Sequence, residues 1–73
     1  MRKVETITTE YIKLQDLLKL AGEAETGGHA KLMIVNELIF VNGEVCTQRG
    51  KKIRPGDLIT VEDSDVEIEV VYA

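Results

Sequence analysis

The sequence predicts an α+β fold in which two short helices pack against a small, mainly antiparallel sheet. Early in the chain, leucines recur with the spacing of an amphipathic helix. Later, Asn42-Gly43 lies between two short apolar runs, as in a two-residue β-hairpin. Near the end, Val66, Ile68 and Val70 alternate with acidic residues, which indicates a strand with one buried face.

The first half of the chain is expected to contain one strand and then two helices. Segment 4–12, rich in Thr and Ile, predicts a short and rather polar strand. The first helix, which Gly22 is placed to end, has its apolar residues at i, i+3, i+4 and i+7: Leu14, Leu17, Leu18 and Ala21. The second helix is expected from an N-cap at Thr26 to about Glu37, with three residues facing inward: Ala30, Met33 and Ile34.

The second half is expected to form strands joined by turns. Segments 39–41 and 44–46 flank Asn42-Gly43, and these two residue types supply the positive φ angles of a type I′ turn. Pro55-Gly56-Asp57 predicts another turn, and segment 58–61 follows it as a strand. Cys46 is expected to be a buried structural residue of its strand.

Length and composition limit the class of protein. At 73 residues the chain is expected to be one domain over residues 1–73. The absence of a long apolar run or a secretory signal leads us to expect a cytoplasmic protein without a membrane partner. One His and one Cys argue against a zinc site, and the glycines match no nucleotide-binding fingerprint. We therefore expect no enzyme, no cofactor and no small-molecule substrate.

The charge is distributed unevenly along the chain. The formal net charge is −4. The charged residues between Glu44 and Asp57 are all cationic and sum to +4, which leaves −8 for the rest of the chain. Five acids crowd near the C-terminus: Glu62, Asp63, Asp65, Glu67 and Glu69. The basic interval can attract a polyanion while the acidic one repels it. Ordinary solvated charge would give the same pattern.

The beginning of the second helix is the first candidate site. Gly27 and Gly28 occupy positions that helix propensity disfavours, since glycine costs about 1 kcal/mol against alanine in a helix interior. Glycine leaves the first-turn amides open to a close ligand, and these amides suit a phosphate. Lys31 and His29 can complete such a cradle. Close packing or a tight turn explains the glycines at least as well on local sequence.

The basic interval is the second candidate site, with Arg49, Lys51, Lys52 and Arg54. Arginine offers a planar fork and lysine a mobile point charge, so this mixture suits phosphate contacts better than base readout. Asn42 at the hairpin tip can add a polar contact, although turn geometry is its more common role. A merely solvated loop remains an equal alternative.

Taken in order, these residues resemble the S4-type RNA-binding domain, or alpha-L motif, in its small stand-alone YaaA/YbcJ-like form. The resemblance covers about residues 14–61 and rests on five segments: Leu17-Leu18-Lys19-Leu20, Thr26-Gly27-Gly28-His29-Ala30-Lys31, Val41-Asn42-Gly43-Glu44, Arg49-Gly50-Lys51-Lys52-Ile53 and Pro55-Gly56-Asp57. It implies an alpha-L fold whose helices and hairpin form an L-shaped surface for structured RNA, as in ribosomal proteins, tyrosyl-tRNA synthetases and pseudouridine synthases.

The resemblance also implies the site and one departure from it. Many larger members carry Ser-Arg where this chain has Thr26-Gly27, so Lys31 and backbone amides must substitute, at some loss of affinity. Small members often have a Ser-Gly-Gly run there, which agrees with Gly27-Gly28 and favours the phosphate cradle. The expected RNA-binding residues are Thr26, Gly27, Gly28, His29, Lys31, Asn42, Arg49, Lys51, Lys52 and Arg54.

The sequence thus predicts a non-catalytic module of the bacterial cytoplasm, expected as a monomer, for ribosomal RNA, transfer RNA or a ribosome-assembly intermediate. The main alternative is a protein-interaction adaptor that uses its acidic C-terminal face. A ubiquitin-like sulfur carrier would end in Gly-Gly, whereas this chain ends in Val71-Tyr72-Ala73. A DNA-binding helical module is disfavoured because the second helix has only Lys31 to reach bases.

Overall fold

Strands and helices follow one another in an order close to the expected one. The computed structural model describes residues 1–62 and 64–73, so Asp63 of the acidic stretch lies outside the described residues. The helices are α1 (Leu14–Leu20) and α2 (Gly27–Val35). The strands of the described chain are β1 (Arg2–Ile7), β2 (Ile12–Lys13), β3 (Ile39–Val41), β4 (Glu44–Val45), β5 (Lys52–Ile53), β6 (Leu58–Val61) and β7 (Val66–Tyr72).

Five of the strands form the main sheet, in the order β1-β7-β6-β3-β4. Neighbours in this sheet are antiparallel except β1 and β7, which run parallel. Strands β2 and β5 form a separate two-stranded antiparallel ribbon. The expected α+β fold, with two short helices and a mainly antiparallel sheet, is therefore confirmed.

One hydrophobic core joins the helices to the main sheet. Leu14, Leu17 and Leu18 of α1 are fully buried, as the helical spacing predicts. On β7, burial alternates between the apolar positions and the half-exposed Glu67 and Glu69. Burying one such aliphatic side chain stabilises the fold by about 1.5–3 kcal/mol, so each of these periodic positions contributes to the driving force for folding.

The expected strand over residues 4–12 is in fact two strands that belong to different sheets. β1 ends at Ile7, the chain bends at residues 8–10, and β2 then pairs with β5. β5 itself lies inside the segment expected to be a basic loop. Strands of two residues are too short to show an alternating pattern, which is why the sequence did not reveal the ribbon.

Two smaller boundaries also differ from expectation. Helix α2 ends at Val35 rather than near Glu37, because Glu37 adopts a φ of 63°, which a right-handed helix does not allow. Strand β4 ends at Val45, and Cys46 lies just beyond it, half-buried against the core instead of fully buried within a strand.

Candidate nucleic-acid interface

The backbone of residues 49–54, here called the basic segment, closes the N-terminal end of α1. The amide of Leu14 donates to the carbonyl of Lys51 at 2.9 Å, and the amide of Gln15 donates to that of Arg49 at 3.1 Å. These bonds satisfy amides that a helix start leaves unpaired, and the N-cap residue Lys13 makes no side-chain capping bond. The main chain of the basic segment is therefore fixed, while its cationic residues are exposed.

A cleft of about 560 Å³ lies between the basic segment and the β3–β4 hairpin. The charged and amide residues on its lining are Asn42, Glu44, Gln48, Lys51, Lys52, Arg54 and Asp57. Three cations against two carboxylates give the cleft a positive balance. Four residues that the sequence proposed for RNA binding are thus brought together here, whereas Arg49 lies on the same segment without lining the cleft.

Asn42 connects the hairpin to the turn before β6. It has a φ of 52°, as the turn requires, and its Nδ2 donates to Oδ1 of Asp57 at 3.0 Å. Its Oδ1 accepts from the amide of Leu58 at 2.9 Å. The other carboxylate oxygen of Asp57 accepts from the amide of Arg54 at 2.8 Å. The Asn42 amide group is therefore engaged within the protein and positions the Arg54 backbone.

The cations of this protein fall into two groups by their ion pairs. Those that pair are Arg2 with Glu67 and Glu69 at 3.6 and 3.3 Å, Lys3 with Glu23 at 2.6 Å, and Lys19 with Asp16 at 3.4 Å. The four cations of the basic segment form no ion pair with any carboxylate in the described residues, and neither do Lys13 and Lys31. Their charge is consequently available to an external anion.

The beginning of α2 has the expected cap. The Thr26 hydroxyl accepts from the amide of His29 at 3.0 Å, and Nδ1 of His29 accepts from the amide of Glu25 at 3.2 Å. The neutral His29 ring therefore carries its hydrogen on Nε2, where it can donate to a ligand. The structure thus gives Thr26 a capping role and leaves one donor of His29 available.

Neither glycine at this helix start is required by packing. A Cβ at Gly27 would meet nothing within 4 Å among the described residues, and one at Gly28 would meet only the Thr26 hydroxyl at 3.8 Å. Gly28, His29 and Lys31 are exposed. The close-packing explanation therefore loses its support, and the glycines leave an open surface at the first amides of α2.

The two candidate regions lie toward opposite ends of α1. The basic segment is bonded to its first residues, whereas the connection to α2 folds back on its last turn, with the amides of Glu23 and Ala24 donating to Leu18. In the described chain, the cleft is lined only by residues between 41 and 57, so the start of α2 does not contribute to it. A seven-residue helix is about 10 Å long, a distance that one RNA ligand can span.

The sequence missed one cation beside the basic segment. Lys13 on β2 is the direct cross-strand partner of Lys52 on β5. Because β2 and β5 are far apart in the sequence, no charge run includes both lysines. A prediction of the β2–β5 pairing would have been needed to find it.

The described residues contain no group of three or more His, Cys, Asp or Glu side chains arranged to hold a metal ion. No helix in that part of the chain is long and apolar enough to cross a membrane.

Comparison with known proteins agrees with these observations. The chain is 39% identical over 57 residues to "Probable ribosome maturation protein RlbA" of Bacillus subtilis (strain 168), covering 78% of this chain and 80% of the relative. It is 34% identical over 58 residues to YbcJ of Escherichia coli (strain K12), whose name describes an RNA-binding protein. This match covers 80% of this chain and 83% of the relative. Residues 5–69 match the S4 domain, and the chain belongs to this family.

Proposed function

We propose that this protein binds structured RNA through the basic segment and its cleft, and that it catalyses no reaction. The S4 domain match and the names of the two relatives support a non-catalytic RNA-binding role. One observation carries the proposed site: the four cations of the basic segment lack ion-pair partners in the described chain, while their backbone is fixed to α1.

In this proposal the protein recognises the shape of the RNA and the positions of its phosphates. Arg49 and Arg54 supply planar forks and Lys51 and Lys52 supply point charges, which suit phosphate oxygens better than base edges. The open amides of α2, with Lys31 and the His29 Nε2, take a further phosphate. Asn42 contributes by holding the cleft in place.

The name of the first relative favours ribosomal RNA or a ribosome-assembly intermediate over transfer RNA as the target. Such a target would place the protein in the cytoplasm. A monomer suffices, because every residue of the proposed surface comes from one chain.

Two double variants with the same charge change test the proposal. Lys51→Gln with Arg54→Gln removes two unpaired cations from the cleft, whereas Arg2→Gln with Lys19→Gln removes two cations that have ion-pair partners. Each is titrated with a ribosomal RNA fragment that contains a helical junction. Loss of two phosphate contacts should weaken binding by roughly 20- to 60-fold at 0.1 M salt. The control should remain within about twofold of the parent if paired cations do not contact RNA.

The same titrations with a single-stranded oligonucleotide test the kind of RNA that is bound. Tyr72 is 64% exposed at the end of β7, but Tyr11 and Phe40 are half-buried, so the described surface has few aromatic rings for stacking successive bases. The junction RNA should therefore bind more tightly. Equal loss of affinity in both double variants, or equal affinity for both RNAs, would contradict the proposal.

A further inference from the structure

Two lysines face each other across the β2–β5 ribbon. The register of the ribbon pairs Ile12 with Ile53 and Lys13 with Lys52. Ile53 is fully buried and Ile12 packs against the core, so this first pair faces inward. Successive residues of a strand point to opposite faces, and both lysines are indeed exposed. The ribbon thus presents two ammonium side chains on its outer face.

This arrangement is unfavourable without an anion. Directly opposite residues of an antiparallel pair have Cβ atoms about 4.5–5.5 Å apart, and like charges there destabilise the pair. Asp16 lines the same hollow as Lys13, yet it pairs with Lys19 at 3.4 Å. Within the described chain, neither Lys13 nor Lys52 forms an ion pair. Their mutual repulsion is therefore not offset by an ion pair with any described carboxylate, although Glu10 and Asp16 line the hollow beside Lys13.

Tyr11 holds Lys52 on the side of β2. The Nζ atom of Lys52 lies 5.0 Å from the centroid of the Tyr11 ring, within the range of a cation–π contact. Tyr11 immediately precedes β2 and is half-buried. The contact therefore directs the Lys52 ammonium toward the strand that carries Lys13, and Tyr11 acts as a positioning residue.

We propose that Lys13 and Lys52 together hold one phosphate of the bound RNA, an inference that rests on the proposed function. Lys52 also lines the cleft beside the basic segment, whereas Lys13 lines a hollow of about 360 Å³ next to Tyr11. The lysine pair thus extends the RNA surface from the cleft across the ribbon to β2. A phosphate between the two ammonium groups neutralises the repulsion that the free protein contains.

The test is Lys13→Gln, which keeps most of the aliphatic stem and removes the charge. RNA affinity for the junction fragment should fall about 5- to 8-fold at 0.1 M salt, and the slope of log K against log salt should become shallower by about 0.7–0.9. The melting temperature of the free protein at low salt should instead rise by about 1–3 °C, because the cross-strand repulsion is removed. A residue with a merely structural role would move affinity and stability in the same direction.

Arg2→Gln is the matched control, since it removes the same charge from β1, at the opposite edge of the main sheet from the hairpin. Its affinity should stay within about twofold of the parent. Tyr11→Leu should lower RNA affinity, by up to as much as Lys13→Gln does. Tyr11→Phe, which keeps the ring face, should bind RNA as the parent does.

The outcomes separate this inference from the proposed function. Unchanged affinity in Lys13→Gln, together with a large loss in the Lys51→Gln/Arg54→Gln variant, would overturn the proposed phosphate contact of the lysine pair. The proposed RNA-binding surface would be unaffected. Equal weakening by Lys13→Gln and Arg2→Gln would overturn it as well, because the effect would then be one of net charge. Unchanged affinity in every variant would overturn the proposed function itself.

Discussion

Asn42 and Asp57 are joined by a hydrogen bond of 3.0 Å between Nδ2 and Oδ1, which connects the β3–β4 turn to the turn before β6. Both residues also bond to backbone amides, Asn42 to Leu58 and Asp57 to Arg54. The two turns predicted from the sequence, Asn42-Gly43 and Pro55-Gly56-Asp57, are therefore joined by one cluster of hydrogen bonds. These hydrogen bonds link two residues of the cleft lining and hold the backbone at Arg54.

Replacement of Asn42 should destabilise the protein more than its exposure suggests. Asn42→Ala removes two side-chain hydrogen bonds and places alanine at a φ of 52°, for an expected loss of about 2 kcal/mol in the free energy of unfolding. For a domain of this size, that corresponds to a melting temperature lower by about 10 °C. Asn42→Gly is the control, since glycine tolerates the positive φ and should lose only the hydrogen-bond part. Equal melting temperatures of Asn42→Ala and the parent would contradict this structural role of Asn42.

Gly28→Glu should separate RNA binding from stability. The open space at this position accepts a side chain. An acidic residue in the first turn interacts favourably with the helix dipole and stabilises the helix by about a few tenths of a kcal/mol. The melting temperature should therefore not fall. RNA affinity should fall about fivefold or more, since like charges 4 Å apart repel by about 1 kcal/mol even in water. The uncharged Gly28→Gln is the size control, and unchanged affinity in folded Gly28→Glu would remove α2 from the interface.

The acidic stretch is expected to lie outside the RNA interface. Arg2 pairs with Glu67 and Glu69 and neutralises one of their two charges, whereas Glu62 and Asp65 form no ion pair with the described residues. Glu62→Gln with Asp65→Asn should leave RNA affinity unchanged or up to about threefold tighter, because repulsion of the polyanion is reduced and partly screened at 0.1 M salt. Weaker RNA binding in this variant would place the acidic stretch inside the interface.

The elements that the sequence predicted well are those with a clear period or a specific turn. The helical spacing of Leu14, Leu17 and Leu18 predicts α1. Asn42-Gly43 predicts the hairpin, because these residue types accept the positive φ angles of its turn. Both signals are local, so the sequence contains them in full. The alpha-L resemblance identified the family, and the S4 domain match confirms it.

The parts that were missed depend on contacts between distant segments. The β2–β5 ribbon has two residues per strand, so its existence is decided by the burial of Ile12 and Ile53 rather than by a pattern. For the same reason, the basic segment was visible as a run of charge, but its bonds to α1 and the facing Lys13 were not. The RNA-binding roles of the predicted residues remain predictions.

The most direct test of the account is the salt dependence of RNA binding in the parent and in a variant with Arg49, Lys51, Lys52 and Arg54 all changed to Gln. The bonds from this segment to α1 are made by backbone carbonyls, so the variant should keep its fold, and its thermal unfolding is measured alongside. If four or five phosphates are contacted, log K in the parent should fall with log salt with a slope of about −3 to −4. The variant should show a slope shallower than about −1 and little binding at 0.1 M salt. A flat profile in the parent, or the parent's slope in the folded variant, would show that the basic segment is not where RNA binds.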